Sequence, residues 1–327
     1  MTADATRGVV GSDCDKEVDD VQGNPPPPPS RSEVMRGILL LLGAVSLFAI
    51  IDGISKILAE THSLGQLMLA RYALAVPVLL AMSPRSRWTS LLATRRPGQQ
   101  ILRALSPVCV GASMVLAVRY LPLADATAIL FAGPFLVIVL SAPLLGERVG
   151  LASWIGVAVG FAAVLLVVRP GGSALSQYTV FPLVGAGFYA VFQLMTRWLA
   201  AAGEHPDTTL AWSLLTGLAV GAPLAAVTWV PPSPVAWLLM GVMGVVFGLA
   251  QALMARAYLH ATASVLAPFT YVQVIAAALF GVVVLRTFPD ALTLTGIAII
   301  IAAGVLVVRQ QGRAGPAVTV THREAAQ

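Results

Sequence analysis

Two ionisable side chains, Asp52 and Arg71, stand deep inside apolar stretches, where an unpaired charge is costly. Asp52 belongs to RGILLLLGAVSLFAIIDGISKILA (36–59) and Arg71 to the next apolar run, a short turn around His62 joining the two. With a helical rise of ~1.5 Å per residue, Asp52 lies about 10 Å inside the end of its run, and Arg71 about as deep in the following one. The two can therefore pair. A carboxylate facing a guanidinium in such a place either binds a proton or cationic group while the guanidinium docks an anion, or it is a permanent ion pair that fastens two helices. Lys56 lies only about 5 Å from the helix end, where its stem can reach water and its charge suits the helix dipole, so its expected role is structural.

Uncharged polar groups in later runs add candidates: Tyr189 and Gln193, Gln251, and Tyr271 and Gln273. Each can hydrogen-bond a solute or tie helices together. Pro134 and Pro268 interrupt two further runs and are expected to break helices, freeing backbone groups to line or gate a cavity. Asp125 at a helix start, Glu147 beside Arg148 at a turn, and Arg197 near a helix end fit structural helix-end roles. No nucleophile elbow, HExxH or Walker A sequence is present, so an enzyme or ATP-driven pump has no chemical basis here. Cys14 and Cys109 show no metal-ligand spacing, and no cofactor or metal is expected.

The elements that must position these residues follow from composition. The chain is 57% hydrophobic and 11% charged, which leaves too little polar surface for a soluble globule of 327 residues. Ten apolar runs, 37–59, 64–83, 101–120, 123–145, 151–168, 178–200, 207–229, 235–258, 262–285 and 291–308, have the length of membrane helices. Period-two alternation is missing, so the expected class is an all-α membrane protein. Residues 1–35 form an acidic, proline-rich tail ending near Pro25 to Pro29, and 310–327 form a second tail. The first apolar run follows that acidic tail without a basic leader, so it is expected to stay as an anchor.

Basic residues orient the bundle. Arg31, Arg36, Arg85, Arg87, Arg95, Arg96, Arg148, Arg309, Arg313 and Arg323 fall on one side, while Arg119, Arg169 and Arg286 lie near helix ends on the other. Both termini are thus expected in the cytoplasm, with the bundle in the cytoplasmic (inner) membrane. The arginines are spread singly between apolar runs, a pattern that argues against nucleic acid as a partner.

Laid over itself at an offset near 140, the sequence matches in several places. Ile155 to Arg169 resembles Thr295 to Arg309, Tyr120-Leu121 falls on Tyr258-Leu259, and FAIIDGISKILA falls on YAVFQLMTRWLA, which sets Asp52 on Gln193 and Lys56 on Arg197. Each copy holds five spans, an odd number, so the expectation is ten transmembrane helices as two inverted five-helix repeats, 36–170 and 175–309. The seventh span carries no buried charge matching Arg71, so the pair is expected to break the repeat symmetry. Inverted repeats suit alternating access around a central site.

At this point the chain resembles the drug/metabolite transporter superfamily, specifically its EamA-type members. The resemblance rests on Asp52-Gly-Ile-Ser-Lys56, Ala70-Arg71-Tyr72, the stretch Arg119 to Thr127, Pro134, Gly146-Glu147-Arg148, and Phe288-Pro289-Asp290 with Thr293. The last of these is similar to the subgroup of S-adenosylmethionine and riboflavin uptake proteins. Such proteins often repeat Gly-Glu after the ninth helix, where this chain has Arg286-Thr287. The resemblance implies a secondary active transporter of a small polar metabolite, with protons as a candidate coupling ion, the lipid bilayer as its surroundings and a homodimer as a candidate assembly. Alternatives are an exporter of amino acids or drugs and, from a different class, a lipid flippase or a non-transport membrane scaffold.

Overall fold

The computed structural model describes residues 31–145, 151–168, 177–261 and 263–313. Among these, all long regular elements are helices: α1 (Arg31–Ala59), α2 (Leu64–Met82), α3 (Pro97–Tyr120), α4 (Leu123–Leu130), α5 (Gly133–Leu145), α6 (Leu151–Val168), α7 (Val180–Ala201), α8 (Pro206–Val227), α9 (Pro234–His260), α10 (Ala263–Thr270), α11 (Val272–Val283) and α12 (Ala291–Arg313). Eight stretches are long and apolar enough to cross a membrane, with shorter apolar helices at Trp154–Val168 and Ala291–Leu306. The fourth and ninth spans are each built of two helices, α4 with α5 and α10 with α11. The tails before 31 and after 313, and Glu147, Arg148 and Arg169, lie outside the described residues.

Local chemistry sets the helix ends. Ser63 and Gln66 form a capping box at the start of α2, and Ser233 caps α9, accepting from the Ala236 N–H. Pro97, Pro206 and Pro234 open their helices, where a missing N–H costs nothing.

The most extensive helix pairings come in matched sets. α1 packs on α9 and α11 as α7 packs on α3 and α5; α2 packs on α9 as α8 packs on α3; and α2 meets α8 as α6 meets α12. Exchanging α1–α6 with α7–α12 returns the same pairings, the packing of a pseudo-two-fold bundle. Leu121 and Ala261, both extended C-caps, stand 140 positions apart, as do Leu123 and Ala263, both helix starts, and Phe131 and Tyr271, both at breaks. This register puts Tyr120 opposite His260, two residues from the Tyr-Leu match in sequence. The reason is burial. Tyr120 and Tyr258 are 48% and 44% exposed, whereas Phe131 and Tyr271 at the breaks are buried and so hold their register.

The bundle has two ends. At the far end, where α1 finishes, Gln66 ties α2 to the loop before α9 by donating to the Val230 carbonyl (2.7 Å) and accepting the Val230 N–H (3.0 Å). At the near end, where α3 starts, Glu204 accepts from Thr94 (2.8 Å) and Gln100 (3.0 Å). Between them, Leu39, Leu102, Leu165, Leu238 and Leu279 are exposed, as lipid-facing side chains are.

Candidate functional site

The far half of the bundle holds the expected pair. Arg71 Nη2 lies 3.7 Å from Asp52 Oδ1, and both side chains are buried. The guanidinium also donates to Ser55 Oγ at 2.9 Å, while that hydroxyl donates to the Ile51 carbonyl one turn back at 2.7 Å. The Phe247 ring of α9 lies 5.5 Å from the Arg71 guanidinium carbon. Gln273, on α11, lies close to the Asp52 carboxylate. Sequence candidates from α1, α2 and α11 thus meet in one polar cluster. Among the described residues Arg71 Nε has no hydrogen-bond partner.

A second set meets in the near half. A cavity of about 120 Å³ is lined by Pro134, Ser141, Tyr189, Gln193, Arg197, Tyr258 and Tyr271, among others. Its walls come from both halves of the chain. Gln193 Nε2 donates to the Tyr189 hydroxyl at 2.9 Å. Pro134 follows the break between α4 and α5, where it can neither donate an N–H nor sit against the carbonyl four residues back. Pro268 lies within α10, three residues before the break at Tyr271. Glycines let the rings approach: a Cβ at Gly133 would overlap the Tyr189 ring, and one at Gly304 the Tyr271 ring. Tyr271 lines the cavity while Gln273, two residues on, lies close to Asp52, so α11 runs past both polar sites.

The remaining candidates lie apart. Gln251 is half-buried on α9. Asp125, in the first turn of α4, accepts from Thr293 Oγ1 at 3.0 Å and joins α4 to α12. Lys56 is half-buried, and its Nζ donates to the Val118 carbonyl (2.7 Å) and the Leu121 carbonyl (2.8 Å) at the end of α3. Arg197 is exposed at the cavity rim.

One residue escaped the sequence reading. Arg103 of α3 is buried, its Nε donating to Thr196 Oγ1 (3.0 Å) and its Nη1 to the Thr209 carbonyl (2.6 Å) and Ser213 Oγ (2.9 Å). It lies 4.8 Å over the Phe192 ring. Thr196 is the repeat equivalent of Ser55, and like Ser55 it donates one turn back, to the Phe192 carbonyl at 2.7 Å. In each half a buried guanidinium meets the matched hydroxyl, supplied by α2 in one and by α3 in the other. The carboxylate alone lacks a counterpart, since Gln193 stands where Asp52 stands.

Membrane-spanning helices around buried charges and a polar cavity are the geometry of a membrane transport protein. Residues 35–169 match the EamA-like transporter family. The first half of the chain is thus similar to an EamA-like transporter unit. Relatives extend the likeness over most of the chain's length. A riboflavin transporter of Vibrio cholerae is 28% identical over 272 residues, 82% of this chain and 91% of its own. The pseudopaline exporter CntI of Pseudomonas aeruginosa is 29% identical over 82% of this chain and 94% of its own. An S-adenosylmethionine uptake transporter of Rickettsia bellii is 25% identical over 68% and 76%. A crystal structure with a TM-score of 0.58 and 20% identity covers 87% of this chain and 99% of its own, which shows the shared fold. The chain is thus a multi-pass membrane transport protein and not an enzyme.

Proposed function

We propose that this chain is a secondary active transporter that moves a small polar metabolite across the cytoplasmic membrane by alternating access. In this reading two inverted units, 36–170 and 175–309, rock about the central site, both termini are cytoplasmic, and the near end faces the cytoplasm. The observation that carries it is the pairing of a polar cavity, rimmed by Arg197 and Tyr258, with a closed Asp52–Arg71 cluster further along α11. Solute enters the cavity against Tyr189, Gln193 and Tyr271. Rearrangement at the two breaks then opens the path past Tyr271 to the far half. There Asp52 exchanges a proton, and Arg71, with its free Nε donor, takes an anionic group.

Relatives named for riboflavin, S-adenosylmethionine and pseudopaline support a polar organic solute, and they include both uptake and export. The test is uptake into proteoliposomes with an imposed pH gradient, screening riboflavin, S-adenosylmethionine and amino acids. The reading expects one solute to accumulate while the gradient lasts. Well-folded protein that exchanges none of them, with or without the gradient, rejects it.

A further inference from the structure

The two ends of the bundle differ in one respect that the repeat makes readable. At the far end Lys56, three residues before the end of α1, donates two hydrogen bonds to carbonyls at the end of α3. The Val118 carbonyl is among the last four of that helix, which have no partner within it, and the helix dipole makes this end negative. A lysine there joins α1 to α3 with charge-assisted bonds. In the near half, the equivalent helices are α7 and α9, and the equivalent of Lys56 is Arg197. By the register of caps and breaks, Val118 corresponds to Tyr258 and Leu121 to Ala261. The backbone repeats as well: Ala261 N–H bonds to the Ala257 carbonyl as Leu121 N–H bonds to that of Ala117. The Tyr258 carbonyl is thus at a helix end like that of Val118. Yet Arg197 is exposed, and it lines the open cavity with Tyr258.

We propose that Lys56 and Arg197 are reciprocal clamps, one for each end of the bundle. In the state described here Lys56 holds α1 to α3 and closes the far end, while Arg197 faces Tyr258 across the cavity without holding the carbonyls at the end of α9, and the near end is open. In the opposite state Lys56 releases the Val118 and Leu121 carbonyls, and the Arg197 guanidinium takes those of Tyr258 and Ala261. Each clamp trades two hydrogen bonds for water, so neither end is locked. Exchange of one for the other keeps the two states close in energy, as a carrier cycle needs. This proposal rests on the alternating-access reading.

The experiment reads accessibility, not transport. Full-length protein with Cys14 and Cys109 replaced by Ser is reconstituted in vesicles. Single reporters are then placed at Ser141, which lines the near cavity, and at Ala117, buried one turn from the far end of α3. A membrane-impermeant maleimide is applied to each side. Lys56→Met removes one clamp's charge-assisted bonds, so far-side labelling of the Ala117→Cys reporter rises by about tenfold and near-side labelling of Ser141→Cys falls. Arg197→Met does the reverse, and Arg197→Lys restores the parent rates in part. Should both substitutions shift the labels in one direction, or neither shift them, the clamps are merely anchors and the proposal is overturned. Because no solute is present, that outcome is separate from a failure to find transport.

Discussion

Phe131 and Tyr271, the equivalent residues at which the fourth and ninth spans break, lie with ring centroids 5.3 Å apart and planes inclined at 48°. Both are buried, and Tyr271 also forms part of the cavity wall and packs on Gly304. The two broken spans thus meet ring to ring at their breaks. Tyr271→Ala removes this contact and is expected to cost about 3–5 kcal/mol, seen as a lower unfolding temperature in detergent, and to let protons leak through reconstituted vesicles. Tyr271→Phe keeps the packing, so it should change stability by only about 1 kcal/mol and leave the vesicles tight.

The Asp52–Arg71 pair separates coupling from fastening. Asp52→Asn and Arg71→Gln each leave a buried charge without its partner, and each should lower gradient-driven transport by about two orders of magnitude. Combining them removes both charges, so stability should recover by about 1–3 kcal/mol over the worse single variant while transport stays lost. Parallel melting curves and uptake assays check both. Recovery of transport along with stability would make the pair a fastener only.

Arg103 is expected to hold the near half together. Its fork reaches Thr196 on α7 and Thr209 and Ser213 on α8. Arg103→Met strips these acceptors of their donor and should lower unfolding free energy by about 3 kcal/mol. Arg103→Lys keeps the charge but not the fork, and should recover less than half of that loss in the same melting experiment.

Arg286 follows α11 with φ of 56°, the left-handed region that suits glycine. Thr287 N–H bonds to the Gly281 carbonyl at 2.9 Å, which keeps the turn closed. The repeat equivalent of Arg286 in sequence is Gly146. Arg286→Gly is therefore expected to stabilise the protein by about 1 kcal/mol, read as a higher unfolding temperature, with transport unchanged.

Much of the scaffold was legible in the sequence, because length and hydropathy fix membrane helices with little help from tertiary context. The ten apolar runs correspond to the spans of the fold, and the Asp52–Arg71 approach followed from helix rise and a short turn. The breaks in the fourth and ninth spans were flagged by Pro134 and Pro268. What hid was set by packing between distant helices. Arg103 falls at the edge of a run read as starting at 101, where it passes for an interfacial arginine; α3 in fact begins at Pro97, which takes Arg103 into the bundle. Lys56 was read against its own helix end, and its acceptors lie more than sixty positions away. That Tyr189, Gln193, Arg197 and Tyr271 share one cavity depends on how the halves dock, which no spacing within either half records.

The central claim is alternating access, and counterflow tests it most directly. Proteoliposomes are loaded with an excess of the unlabelled solute identified by uptake screening, diluted, and given a trace of labelled solute with no pH gradient. A carrier that exposes its site to one side at a time should take up label transiently above equilibrium, and Asp52→Asn should keep this exchange if its carboxylate serves only the proton step. Label that merely equilibrates, with no overshoot, would describe a pore and contradict the account.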